Sequence, residues 1–327
     1  MTMHFADLAR QAAADGAITV EEILSLRRAG WADGVMKPDE VDAVFTLNDA
    51  LGERPAEWSD FFVEAIGEFV VNGTGPKGYV SDENARWLVA RIETDGALES
   101  MTELELLVRV IERSYNVPDA LKAYVLQQIE QAVLTGTGPT RQGGALEPGC
   151  VSAAEASLLR RVLFAAGGDS PADVSYGEAE LLFRLKDASL GTANAPEWKR
   201  MFVQGVANYL MGVVSRSAQI SRERAAELEA EMADTRSSKI EFAGRMLGEV
   251  PNTFATLFAN KDGERATLWQ DFLYQAFGER RDRFAELRAG EQVTAEEQEW
   301  LEAQVGADGK VDEYEQALLD FLLEEAA

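Results

Sequence analysis

Apolar residues along this chain recur at intervals of three and four and rarely alternate, which is the period of helices buried along one face. The clearest run is Trp58, Phe61, Phe62, Ala65, Ile66, Phe69 and Val70, spaced i, i+3, i+4, i+7 and onward. It returns as Trp198, Met201, Phe202, Gly205, Val206, Tyr209 and Leu210. Pro55, Pro118 and Pro196 each open such a helix, at a position where no backbone donor is lost. Strand patterning is almost absent, so the pattern predicts an all-α chain.

The helices themselves recur. Gly16-Ala-Ile18-Thr19, a helix, Asp33-Gly34-Val-Met36, a second helix, Pro55 and a third helix end at Gly73-Thr-Gly-Pro76. The same order then runs from Gly78-Tyr-Val80-Ser81 through Asp95-Gly96-Ala-Leu98 and Pro118 to Gly136-Thr-Gly-Pro139, so the terminator returns after 63 residues. A third copy begins at Gly149-Cys-Val151-Ser152, with Glu178, Phe183, Leu185 and Asp187 in the places of Glu40, Phe45, Leu47 and Asp49. A shortened copy follows Val293, where Trp300, Asp308-Gly309, Val311 and Leu318-Leu319 match Trp87, Asp95-Gly96, Leu98 and Leu106-Leu107. The expected organisation is a tandem repeat of about 63-residue three-helix units joined by Gly-containing capped turns. Unit one spans 1–77, unit two 78–140 and unit three 149–215. A divergent unit, 216–290, reads as a degenerate fourth copy because Trp269-Gln-Asp271-Phe272 echoes Trp58-Ser-Asp60-Phe61. The shortened unit is 291–327. The Gly/Pro-dense stretch from Pro139 to Gly149, centred on a linker at 141–148, would separate two lobes.

Charge narrows the function classes. With 31 basic and 57 acidic residues the net charge is −26, which opposes nucleic acid and anionic membranes as partners. Residues 213–292 hold 12 basic and 14 acidic residues, a net of −2, so the other residues carry −24. That near-neutral stretch, with Phe254, Phe258, Trp269, Phe272, Tyr274 and Phe277, reads as core or as a partner-docking face. Cys150 is the only cysteine and His4 the only histidine. An intrachain disulfide, a Ser-His-Asp or Cys-His nucleophile and a His-rich zinc site are all excluded. Met1–Arg10 lacks a basic region followed by an apolar core, and no stretch approaches the length of a membrane span; a cytoplasmic protein is expected.

The turns carry the remaining chemistry. Gly-x-apolar-(Ser/Thr)-x-x-Glu occurs at Gly16–Glu22 and Gly149–Glu155, with variants at Val174–Glu178, Val293–Glu297 and Gly309–Glu315. Ser or Thr with Glu three residues on is a capping box, the apolar residue before it a hydrophobic staple, and the Gly a left-handed helix stop. Asp15, Asp33, Asp95 and Asp308 precede glycines, so these turns also resemble the second half of an EF-hand calcium loop. That resemblance implies Ca²⁺ or Mg²⁺ ligation. Loop positions 1 and 3, which should carry oxygen ligands, fall on Gln11 and Ala13, Ala29 and Trp31, or Gln304 and Gly306. Paired turns lie 18 residues apart (Ile18 to Met36), room for one shared helix where an EF-hand pair has two. Asp169, Asp173 and Glu180 occupy positions 1, 5 and 12 of another such loop, with Val174 in place of its Gly. The units Ala14-Asp15-Gly16 through Glu22 and Ala32-Asp33-Gly34 through Glu40 resemble the tellurite-resistance TerB-like family. That resemblance implies an all-helical, stress-related protein in which acidic residues bind metal. Capping accounts for every residue of the turn, whereas metal binding accounts for the acids alone.

Gly73-Thr-Gly-Pro-Lys77 lacks the strand and the G-K-[ST] ending of a phosphate loop and follows a helix, so it reads as a helix terminator. No catalytic, cofactor or metal residue is assigned. The expected function is that of a non-catalytic acidic scaffold or adaptor for another protein, with a divalent-cation-responsive EF-hand-like or TerB-like protein as the alternative.

Overall fold

The computed structural model describes residues 3–14, 16–31, 36–93, 98, 100–141, 146–165, 174–211, 295–305 and 311–325. They form α1 (Met3–Ala13), α2 (Val20–Gly30), α3 (Pro38–Ala50), α4 (Ala56–Asn72), α5 (Asp82–Ile92), α6 (Met101–Arg113) and α7 (Asp119–Thr135). These are followed by α8 (Ala153–Leu163), α9 (Tyr176–Ser189), α10 (Pro196–Met211), α11 (Ala295–Val305) and α12 (Glu313–Glu325). Among the described residues there is no strand, only a lone parallel bridge between Tyr79 and Asn116. No described helix is long and apolar enough to cross a membrane. The fourth copy expected at 216–290 lies outside the described residues.

Local chemistry sets the helix starts. At α2 the Glu22 backbone N–H donates to the Thr19 hydroxyl (3.3 Å) while the Thr19 N–H donates to the Glu22 carboxylate (2.9 Å). Ser152 with Glu155 and Ser175 with Glu178 start α8 and α9 in the same way, and Ser100 with Glu103 starts α6. Asp312 replaces the hydroxyl at α12, accepting from the Tyr314 and Glu315 N–H groups, and Glu315 accepts in return from the Asp312 N–H. At α3 only half of the box exists, the Lys37 N–H donating to Glu40 at 2.9 Å. The turn glycines Gly16, Gly78 and Gly149 have φ of 70°, 84° and 83°, a region that L side chains avoid. A Cβ at Gly149 would also run into the Ala188 carbonyl.

Packing advances along the chain by a fixed step. α1 lies on α3, α4 on α6, α7 on α9 and α10 on α12. Between these pairs α2 packs on α4, and α8 packs on α6, α7 and α10. One set of aromatic contacts occurs twice. Phe45 meets Phe62 at 5.3 Å and Trp87 at 6.0 Å, and Phe69 meets Trp87 at 5.9 Å. Phe183 meets Phe202 at 5.2 Å and Trp300 at 5.4 Å, and Tyr209 meets Trp300 at 5.0 Å. α11 therefore seats its tryptophan on α9 and α10 as α5 does on α3 and α4.

In the stretch expected as a linker between lobes, Leu146, Glu147 and Pro148 are exposed, and 142–145 lie outside the described residues. Arg141, Gly149 and Cys150 are buried, and apolar residues on both sides belong to one contiguous core. α8 buries Leu158, Leu159, Val162 and Leu163, more than one stripe of its surface, and so needs neighbours on both sides.

Candidate functional site

The carboxylates singled out in the turns fall into two groups. Asp15, Asp33, Asp95, Asp169, Asp173 and Asp308 lie outside the described residues. The glutamates that would close the corresponding loops are described, and each is engaged by its own chain. Glu22 accepts from both the backbone N–H and the hydroxyl of Thr19, and Glu180 accepts from the Tyr176 hydroxyl at 2.7 Å. Glu40 holds the Lys37 N–H. Among the described residues no three Asp, Glu, Cys or His side chains gather in a metal-holding group.

Three capping glutamates use their second oxygen on a cation from another element. Glu155, fully buried, meets Arg141 Nε (2.8 Å) and the Thr140 hydroxyl (2.7 Å) through that oxygen, while its capping oxygen also accepts from Arg141 Nη2 (2.9 Å), which donates to the Cys150 carbonyl as well. Glu178 pairs with Lys122 of α7 at 2.7 Å. Glu315 pairs with Lys186 of α9 at 2.6 Å, and Asp312 and Asp187 lie at 2.7 and 2.8 Å from the same buried ammonium. Burial pushes the Lys186 ammonium down, but its hydrogen bonds to Asp187, Asp312 and Glu315 outweigh burial and hold it above the ordinary 10.5. Burial likewise pushes Asp312 up, and the Lys186 ammonium with the Glu315 and Tyr314 N–H groups outweighs it, so Asp312 sits below the ordinary 3.8. These buried carboxylates act as helix starts and joints. Sequence reading found the caps but not the cations, which come from distant elements without a local signature.

A groove of about 570 Å³ runs between α4 and α6. The two helices lie side by side in the same direction: the Thr102 hydroxyl donates to Ser59 (3.2 Å) near their starts, and Arg113 reaches Glu68 (3.7 Å) near their ends. Met101 and Val63 supply apolar lining, and Asp60, Glu64, Glu105, Arg109 and Arg113 supply charge. Arg27 takes Glu64 and Arg161 takes Glu105. Asp60 and Arg109, both exposed, have no hydrogen bond or ion pair with any described residue.

The position opposite Arg109 accounts for its lack of a counter-charge among the described residues. Arg109 stands six residues after the capping Glu103 of α6, as Arg184 stands six after Glu178 in α9. Arg184 pairs at 2.8 Å with Glu130 of α7, twelve residues after Pro118. Twelve residues after Pro55 in α4 is Gly67, where a Cβ would meet only the Arg109 Cγ and Leu106 Cδ1, both at 3.9 Å. Those are ordinary contacts, so packing does not require glycine there, although glycine inside a helix costs about 1 kcal/mol relative to alanine. The sequence reading assigned the Trp58–Val70 face of α4 to core, named Asp60 only in the Trp58-Ser-Asp60-Phe61 echo, and did not name Arg109.

No family model matches this chain, no curated protein is significantly similar to it, and no solved structure matches it.

Proposed function

We propose that this protein is a non-catalytic scaffold, built from tandem three-helix units, that binds other proteins. In this reading α2–α4, α5–α7 and α8–α10 are three units, α1 takes the place of a preceding third helix, and α11–α12 begin a further unit. The observation that carries it is the stepwise packing of α1 on α3, α4 on α6, α7 on α9 and α10 on α12. Each unit covers its apolar face with the next, and such arrays present long surfaces whose residues vary from unit to unit, the arrangement that suits recognition of another protein. The repeated seating of Trp87 and Trp300 supports a second point. α11–α12 follow α10 in the packing as α5–α6 follow α4. Residues Gly73–Ser81 make the corresponding connection between α4 and α5.

Affinity capture with the intact chain, and with a chain in which a short Gly/Ser linker replaces 212–294, tests the reading. A saturable partner retained by either chain supports it. If neither chain holds a partner above a matched acidic control protein, the scaffold reading is wrong. Calorimetry with Ca²⁺ and Mg²⁺ on the intact chain separates the TerB-like, cation-responsive alternative, which requires saturable heat at or below millimolar metal.

A further inference from the structure

We propose that the α4/α6 groove is a docking site for a protein segment that carries a cation and a carboxylate about two helical turns apart, with apolar side chains between them. The inference rests on the scaffold reading and names one of its binding faces. Asp60 lies near the start of the groove and Gly67, beneath Arg109, near its far end. Seven residues separate them, about 10 Å along a helix at 1.5 Å per residue. The other charged residues of the lining are held by their own chain, Glu64 by Arg27, Glu105 by Arg161 and Arg113 by Glu68. Asp60 and Arg109 remain as an acid and a base at opposite ends, with Val63 and Met101 among the groove's lining. At the equivalent junction the place is filled from within: Glu130 supplies the carboxylate that Arg184 holds. Gly67 leaves that carboxylate to be supplied from outside, and Asp60 calls for a Lys or Arg on the same segment. Charge matched at both ends gives the site selectivity, because a segment with two like charges meets repulsion at one end.

A displayed library of random helical peptides, panned on the intact protein, tests the assignment. Peptides bearing a basic and an acidic residue about seven positions apart are expected to be enriched. Synthetic versions should bind at least about fivefold more weakly to Arg109→Glu and to Asp60→Lys. Gly67→Glu, which gives Arg109 an internal partner as Glu130 does for Arg184, should weaken the same peptides. Arg109→Glu should turn the preference toward peptides with two basic residues, and Asp60→Lys toward peptides with two acidic ones. Asp60 and Arg109 are exposed and a Cβ at Gly67 meets nothing closer than 3.9 Å, and circular dichroism of each variant checks that the fold is kept. Absence of enrichment, or equal affinity of dipolar, doubly basic and doubly acidic peptides, overturns the proposal. A partner captured by the intact chain and held unchanged by Arg109→Glu and Asp60→Lys also overturns it, while leaving the scaffold reading standing.

Discussion

A glutamate in the first turn of a helix can satisfy the backbone at its own N-terminus and still offer a second oxygen to another element. Glu155, Glu178 and Glu315 all do this, and the buried Arg141–Glu155 pair is the most enclosed case. Removing one partner of a buried pair leaves an uncompensated charge, so Glu155→Gln should cost about 3–5 kcal/mol in urea unfolding. Ser152→Ala removes only the hydroxyl of the same cap and should cost about 1 kcal/mol. Equal effects of the two changes would show that Arg141 finds other neutralisation. The capping half of this arrangement was legible in the sequence, because Ser-x-x-Glu is a local spacing. The ionic half was not: Arg141 lies 14 residues from Glu155 and Lys186 lies 129 from Glu315. Spacing of that kind reflects how helices stack rather than how one helix begins.

Elements meet through these residues, and the α9–α12 contact should respond to pH at both extremes. Asp312 is depressed below its ordinary 3.8, so its contribution is complete above that value and is lost as pH falls through its lower folded value. Lys186 is raised above its ordinary 10.5, so its contribution is complete below that value and is lost as pH rises through its higher folded value. Hydrogen exchange in α12 should therefore be slowest between about pH 4 and 10 once corrected for intrinsic rates, and flat corrected protection across both limits would refute the assignment. A second prediction uses the matched tryptophans. Trp300→Ala and Trp87→Ala should each loosen their own helix by about 2–4 kcal/mol, because each removes edge-on contacts with two or more rings. Protection lost in α11 for the first and in α5 for the second is the expected readout. The helices after the capped turns and prolines, and the match of Trp300 to Trp87, followed from local spacing and repetition, whereas α1 was not expected. The burial of Arg141, Gly149 and Cys150 did not follow, since Gly and Pro nearby resemble an open linker until the burial of α8 is known.

At the scale of the molecule, the seating of α11 and α12 on α9 and α10 predicts that these contacts survive exchange of 212–294 for a short Gly/Ser linker. The shortened chain should keep its helical signal for α1–α12 and a thermal midpoint within a few degrees of the intact protein. Loss of the Trp300 environment in near-ultraviolet circular dichroism would show that α11 needs residues 212–294 to keep its seat. Arg161 adds a different consequence. From α8 its guanidinium donates to Glu105 through Nη1 and Nη2, both at 2.6 Å, and to Glu112 through Nε and Nη2 at 2.8 and 2.7 Å. Two carboxylates, two turns apart on α6, grip one planar fork, so α8 is hindered from rotating about its own axis against α6. In the stack proposed above, curvature is the sum of small rotations at successive junctions. One arginine thus ties the angle between α6 and α8. Arg161→Lys keeps the charge but frees the rotation, and it should broaden the distribution of end-to-end distances seen by X-ray scattering while leaving helix content unchanged.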